Sequence, residues 1–186
     1  MKEATKTRAR MATRTITTVA LLAAIICVLS PFAINIGPIP LSFGSLAVYI
    51  AACLINKWHG TAAVVVFVLL GAFGVPVFTN FSGGFHKIIG ATGGYIVGYI
   101  PCALIIGLIV DLSEKHVWAY PIAMVAGTAT LYACGTAWYM IQAGVSLPAA
   151  LMACVVPFLI GDAIKIAAAT ALCFPLRKIL KSVRRP

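Results

Sequence analysis

Six apolar segments that carry almost no charge follow one another along the chain, and they limit it to folds that use lipid as solvent. They cover residues 16–34, 40–55, 61–73, 92–110, 117–141 and 157–175, with polar or glycine-rich stretches between them. Hydrophobic residues make up 62% of the chain and charged residues 10%, against roughly 45–50% and about 25% in soluble domains. A water-facing surface needs more polar side chains than this, so we expect an integral membrane protein.

The same segments predict helices, because each is continuously apolar whereas the strands of a membrane barrel alternate. We predict an all-α protein that forms one membrane domain: a basic N-terminus over 1–15, a bundle of six transmembrane helices over 16–175 and a basic tail over 176–186. A short helix at 149–156 precedes the sixth span. The glycine-rich stretch 71–90, between the third and fourth spans, predicts an irregular loop that dips into a pocket, because such backbone at membrane depth must be covered.

The positions of lysine and arginine predict the orientation of the bundle. Twelve of the fourteen basic residues fall in segments that share one side of the membrane with the N-terminus, whereas Lys87 falls on the other side and Lys165 within a span. Basic residues concentrate on the cytoplasmic side, so we expect both termini in the cytoplasm. A cleaved signal peptide has a similar opening, but the length of the first segment favours a retained helix. We assign the net charge of +10 to anionic headgroups and not to nucleic acid.

One ionisable pair lies inside a predicted span. Asp162 is the only acidic residue within the six apolar segments, and Lys165 follows three positions later, which puts both on one helix face. A charge inside the bilayer costs at least a few kcal/mol, so such groups usually face a cavity and serve a function. The alternative is a structural ion pair that only locks the helix.

Motifs for metal, nucleotide or hydrolytic chemistry are absent from the sequence. There is no phosphate-binding Gly-rich motif ending in Lys-Ser/Thr, no H-E-x-x-H and no G-x-S-x-G. His59, His86 and His116 lie in three different predicted loops. We therefore expect no catalytic residues, no metal and no cofactor. The cysteines fit small buried side chains better than disulfides or zinc ligands: Cys27, Cys53, Cys102, Cys134, Cys154 and Cys173.

Three stretches carry a family resemblance. They are GPIPLS at 37–42, GAFGVPVF at 71–78 with the glycines of 83–84 and GATGGY at 90–95, and PFLIGDAIK at 157–165. In order and spacing the chain resembles the BioY family, the biotin-specific substrate-binding S components of energy-coupling factor transporters. It departs from the family pattern at Gly44, where glutamine is expected, and at Ala91, where proline is expected.

The resemblance implies the S-component fold, a multi-pass protein of the bacterial plasma membrane, and high-affinity capture of biotin from outside the cell for ATP-driven vitamin uptake. It also implies three partners, namely a membrane coupling subunit and two cytoplasmic ATPase subunits that hydrolyse ATP. Ala20 and Ala24 on the first helix are the implied contacts with the coupling subunit. Ala133 with Ala137 has the same spacing, so the motif is weak by itself.

Biotin offers two ureido N–H donors and a carbonyl, an apolar thioether ring and a carboxylate, and a buried site needs polar groups at few points and apolar walls elsewhere. Asp162 can accept from the N–H groups, Asn80 can donate and accept, and Lys165 can face the carboxylate or the carbonyl. The other residues that we expect to bind the ligand are Ser42, Phe43, Phe78, Gly83, Gly84, Thr92, Tyr95 and Tyr139.

Three other functions stay open on the sequence alone. The same fold can serve a different vitamin, which ligand retained through purification would reveal. An intramembrane enzyme can use Asp162 as base and Lys165 as acid, and would have to form a product. A purely structural or assembly subunit would have no saturable ligand.

Overall fold

A computed structural model describes residues 2–34, 39–113 and 116–184, with side chains described between residues 13 and 180. Gly37, Lys115 and Arg185, which enter the motif and the charge pattern above, lie outside the described residues. Within those ranges the chain is mostly helical, and the α-helices are α1 (Lys2–Leu29), α2 (Gly44–Leu54), α3 (Lys57–Ala72), α4 (Phe85–Ile89), α5 (Gly93–Ser113), α6 (Ala119–Ala143), α7 (Leu147–Cys154) and α8 (Leu159–Arg184).

The described residues also form one 3₁₀-helix and two short strands. A single turn of 3₁₀-helix, Val156–Phe158, joins α7 to α8. Strands β1 (Ala33–Ile34) and β2 (Leu41–Ser42) pair antiparallel, with Ala33 opposite Ser42. This pairing brings the residues that follow α1 beside those that precede α2.

The helical class predicted from the apolar segments is confirmed. The six segments correspond to α1, α2, α3, α5, α6 and α8, and the short helix expected at 149–156 is α7. By length and composition, Gly93–Ser113 and Leu147–Leu180 are long and apolar enough to cross a membrane, while Thr13–Leu29, Gly44–Leu54 and Lys57–Ala72 are shorter apolar helices.

The ends of two helices differ from the prediction. Helix α1 begins at Lys2, not at residue 16, because the polar residues before the apolar run include strong helix formers. It ends at Leu29, since Pro31 disfavours helical backbone at the residue before it. Helix α8 continues through Pro175 to Arg184, so the predicted tail from 176 is helical at least to that residue. The buried side chain of Arg177 holds it against the bundle beyond the proline.

Helix α2 forms the centre of the core. Ala47, Val48, Tyr49, Ala52 and Cys53 are fully buried, and α1, α3, α5 and α8 all contact this helix. With only 11 residues, α2 rises about 16 Å, and its surface is covered by protein on most sides. Helix α2 is therefore both too short to span a bilayer by itself and largely enclosed by the other helices.

Helices α5 and α6 pack closely because glycines lie at their contact. A Cβ atom at Gly98 would lie 3.1 Å from the Cβ atom of Cys134 and 3.2 Å from Leu131. Such close approach of helix backbones is the usual role of glycine at helix contacts in membranes.

The connection between α3 and α5 folds over one end of the bundle. It contains α4 and a turn in which Asn80 (φ 59°) and Phe81 (φ 54°) adopt left-handed backbone. The amide of Asn80 donates to the Pro31 carbonyl at 2.8 Å, and the rings of Phe32 and Phe81 meet edge to face with centroids 5.4 Å apart. These contacts join the connection to the loop that follows α1.

Candidate ligand-binding site

A cavity opens among α2, α5, α6 and α8 at the end where the β1–β2 hairpin and the α3–α5 connection lie. The empty space inside it, counted together with the open space at its mouth, is about 610 Å³. One wall is polar and is formed by Ser42, Ser45, Tyr132, Asp162 and Lys165. The facing walls are largely apolar and aromatic, as expected for a site that encloses an organic ligand.

Lys165 is the centre of the polar wall. Its Nζ donates to Asp162 Oδ1 at 3.0 Å, to the Ser42 carbonyl at 2.8 Å and to Ser45 Oγ at 2.9 Å. The residue is 7% exposed and Asp162 is 6% exposed. A buried charge needs an opposite charge and hydrogen bonds to offset its desolvation, and this site supplies both.

Asp162 is held from two helices. Its Oδ1 accepts from Lys165 on the same helix, and its Oδ2 accepts from the hydroxyl of Tyr132 on α6 at 2.5 Å. Hydrogen bonds to an ionised carboxylate are short and strong. The carboxylate plane is therefore fixed from both sides at the cavity wall.

Aromatic rings supply most of the remaining surface. Phe67, Phe78, Tyr95, Tyr99 and Phe158 line the cavity. The ring of Phe78 meets that of Phe67 edge to face, with centroids 5.6 Å apart, and the Tyr95 hydroxyl donates to the Cys154 carbonyl at 3.1 Å. These contacts hold the rings of Phe67, Phe78 and Tyr95 in place at the cavity wall.

The structure brings six of the expected ligand-binding residues together in the cavity lining: Ser42, Phe78, Thr92, Tyr95, Asp162 and Lys165. Asn80 lies in the turn of the α3–α5 connection and is exposed, and it does not belong to the lining. Phe43 follows Ser42 directly but faces away, with 42% of its surface exposed.

Three further expected residues, Gly83, Gly84 and Tyr139, also lie outside the lining. A Cβ atom at Gly83 would overlap the carbonyl of Val75, so this glycine allows the connection to pack on itself. Gly84 has φ 100°, a conformation that side chains rarely adopt. Tyr139 packs behind the wall against the cluster of Ile39, Cys154 and Phe158.

Several lining residues were missed by the sequence reasoning. Ser45 lies three residues after Ser42, the last residue of the GPIPLS stretch. Residues three apart share a face of a helix, so this spacing could have indicated that Ser45 faces the same cavity. Tyr132 and Tyr99 lie in the middle of long apolar segments, and nothing in the local pattern separates them from tyrosines that face lipid or core. Their role follows only from how α5 and α6 pack.

Gly44, the departure noted in the sequence, lies beside the cavity. A Cβ atom there would lie 2.8 Å from Ser30 Oγ and 2.9 Å from Ser42 Oγ, and both serines line the cavity. The Gly44 amide donates to Ser42 Oγ at 3.0 Å. The two hydroxyls thus occupy the space that a larger side chain at 44 would need.

A second ion pair, between a buried arginine and a partly exposed aspartate, lies far from the cavity. Arg177 Nη2 is 2.5 Å from Asp111 Oδ1, and Nη1 donates to the Cys53 carbonyl at 2.7 Å. Asp111 Oδ2 also accepts from the Lys57 amide at 2.9 Å. Arg177 belongs to the basic tail predicted from the sequence, whereas the structure buries its side chain, which is only 4% exposed.

Ala20 and Ala24, the expected contacts with a coupling subunit, are both exposed on α1. The exposed residues beside them include Ile16, Leu21 and Val28. The two alanines therefore lie on an outer, apolar surface of the bundle.

Comparison with known proteins gives a consistent result. The BioY family model matches residues 1–182. The biotin transporter BioY of Thermotoga maritima is 37% identical over 157 residues, which are 84% of this chain and 91% of that protein. The probable biotin transporter BioY of Pyrococcus horikoshii is 31% identical over 86% of this chain and 93% of its own length. These relatives are named as transporters and not as enzymes.

A solved structure has the same fold. The crystal structure of the S-component for biotin from an ECF-type ABC transporter superposes with a TM-score of 0.83, at 25% sequence identity, over 91% of this chain and 93% of that chain. The fold and the transporter relatives together identify a membrane protein. Because the family model and the relatives span nearly the whole sequence, the chain belongs to the BioY family.

Proposed function

We propose that this chain captures biotin from outside the cell as the substrate-specific S component of an ATP-driven vitamin uptake transporter. The observation that carries the proposal is the cavity wall formed by Asp162, Lys165 and Tyr132. This wall lies within a fold shared with an S-component for biotin.

The chemistry of the cavity suits the ligand. Asp162 is a buried carboxylate with acceptor capacity for the ureido N–H groups, and the aromatic walls suit the thioether ring. Ser30, Thr79 and Thr92 add hydroxyls elsewhere in the lining. A few polar groups on a mostly apolar surface are what a buried, partly polar ligand requires.

The orientation that we propose has six transmembrane helices, both termini in the cytoplasm and the cavity towards the outside, in the plasma membrane of a bacterium. Arg177 and Lys165 are twelve residues apart on α8, which separates them by about 18 Å along the helix. The cavity is thus at the end of the bundle opposite to Arg177 and the basic residues that follow it. The excess of basic residues at that opposite end supports its cytoplasmic position.

We infer that the partners are a membrane coupling subunit and two cytoplasmic ATPase subunits, which hydrolyse the ATP. The chain itself is proposed to act as one membrane domain over 1–186, without a cofactor. The exposed pair Ala20 and Ala24 supports a helix contact at α1, because small residues let two membrane helices approach closely.

Titration of the purified protein with biotin tests the proposal. We expect saturable binding well below micromolar ligand. No binding at micromolar biotin would overturn the assignment, and mass spectrometry of ligand retained through purification would then reveal whether another vitamin is bound instead. Conversion of the bound ligand to a product would contradict a transport role.

A further inference from the structure

The three donors of Lys165 already have partners within the protein. An ammonium group carries three N–H donors and no acceptor, and the Ser42 carbonyl, Ser45 Oγ and Asp162 Oδ1 take all three at 2.8 to 3.0 Å. A ligand atom reaches Lys165 as an acceptor only by replacing one of these partners. As arranged, Lys165 neutralises Asp162 and fixes one of its oxygens.

Asp162, in contrast, keeps acceptor capacity that none of the described residues takes up. A carboxylate offers about four lone-pair positions, and Lys165 and Tyr132 take one on each oxygen. The remaining positions can accept from N–H groups of a ligand in the cavity that Asp162 lines. The polar wall therefore favours a ligand that donates hydrogen bonds over one that accepts them.

Tyr132 fixes the direction in which the unused lone pairs of the Asp162 carboxylate point. It is the group that reaches Asp162 from α6, whereas Lys165 shares α8 with the carboxylate. The Tyr132 ring is partly buried and packs against the cluster that includes Ile39, Cys154 and Phe158, so its hydroxyl has a fixed position. Without that donor, the carboxylate would have one fixed oxygen and could turn about it.

We propose that Tyr132 is a positioning residue that orients the Asp162 carboxylate towards the N–H donors of the ligand ring, and so determines how strongly the site discriminates against a ring that lacks one of them. This inference rests on the proposed biotin function. It assigns Tyr132 a role in ligand selection that is separate from its contribution to the wall.

The test compares ligand preference in wild type and in Tyr132→Phe, using biotin, its two mono-N-methyl ureido derivatives, and desthiobiotin, which keeps the ureido group and lacks the sulfur. Tyr132→Phe should weaken biotin binding by about tenfold or more, the size expected when a hydrogen bond to a charged group is lost. In wild type, one of the two N-methyl derivatives should bind more weakly than the other. The ratio of its dissociation constant to that of biotin should fall by at least about fivefold in Tyr132→Phe. The preference over desthiobiotin should not change.

A matched control is Tyr49→Phe. It removes another buried tyrosine hydroxyl, which is 2.6 Å from Thr128 Oγ1 and is not part of the cavity lining. We expect this variant to lose stability while keeping the wild-type preference between the N-methyl derivatives and biotin. Because each preference compares two ligands on the same preparation, a partly unfolded sample does not alter it.

4-Aminophenylalanine at position 132 provides a second variant, because it retains a weaker donor in the same ring geometry. It should give a preference between those of the Phe variant and wild type, and it carries the test if the Phe variant does not fold. Unchanged N-methyl discrimination in both variants, with biotin still bound by wild type, would overturn the role of Tyr132 alone. Failure of wild type to bind biotin would overturn the proposed function itself.

Discussion

The Lys165 ammonium joins segments that are far apart in sequence. It bonds Ser42 and Ser45, about 120 positions earlier in the chain, as well as Asp162 on its own helix. Both members of the ion pair are nearly fully buried, so each depends on its partners in the protein to offset the hydration that it has lost. This residue therefore contributes to binding and to stability at once.

Lys165→Ala should weaken biotin binding by about 2–5 kcal/mol, because the Asp162 carboxylate loses the charged partner that holds its Oδ1 in place for the ligand. Titration calorimetry measures the affinity, and thermal unfolding in detergent measures the stability. In Asp162→Asn with Lys165→Met, the buried charges are both gone, so stability should partly recover while biotin binding stays weak. Wild-type affinity in Lys165→Ala would return the pair to a purely structural role.

At the scale of single residues, the sequence indicated Asp162 and Lys165 because a charge inside an apolar segment is conspicuous. It did not indicate Tyr132, since a tyrosine within an apolar run is common in core, lipid-facing and binding positions alike. Arg177 falls in the predicted basic tail, and Asp111 lies just beyond the fourth apolar segment, so nothing local indicates that the two side chains meet. The burial of Arg177 depends on the packing of α8 against α2, which local composition does not describe.

At the scale of elements, one ion pair joins the ends of α2, α3 and α5 to helix α8. Arg177 of α8 bonds the Cys53 carbonyl near the end of α2, and Asp111 of α5 accepts from the Lys57 amide at the start of α3. Both charges have the sign that helix dipoles favour, a cation at a helix C-terminus and an anion at an N-terminus. The α2–α3 corner is therefore held from two directions.

Arg177→Met should lower the free energy of unfolding by about 2–3 kcal/mol, less than for a fully buried pair because Asp111 is partly exposed. Thermal unfolding in detergent measures this loss. Biotin affinity should stay near the wild-type value, since the cavity is about 18 Å away along α8. Lys178→Met, at the exposed neighbouring position, is the matched control, and equal stability of the two variants would contradict the prediction.

Helix positions could be predicted from the sequence because continuous apolar runs and the intervening glycines and prolines are local signals. The ends of α1 and α8 lie beyond the apolar runs and do not follow from hydrophobicity. Residues 2–14 favour helix through propensity instead, and the part of α8 after Pro175 depends on the burial of Arg177. The path of the α3–α5 connection also escaped prediction. It depends on contacts with Pro31 and Phe32, which are far from it in sequence.

At the scale of the whole molecule, the exposed face of α1 is where we expect the coupling subunit. Replacing Ala20 and Ala24 by leucine should block complex formation while biotin binding is retained, because bulky side chains would keep a partner helix at a distance. Co-purification of the coupling subunit measures the complex. Leucines at Ala133 and Ala137, exposed on α6 at the same spacing, should leave assembly intact. Intact co-purification of the α1 variant would argue against this interface.

Helix α8 is attached to α2 at two points, near Ser42 and Ser45 at one end and at Cys53 at the other. Between them, Ala169 and Cys173 are fully buried. For α8 to slide along α2 by one helical turn, about 5.4 Å, both attachments would have to break together. We therefore expect α2 and α8 to move as one rigid piece, so that ligand release would require either a displacement of that whole piece or a rearrangement of the connections at the cavity end.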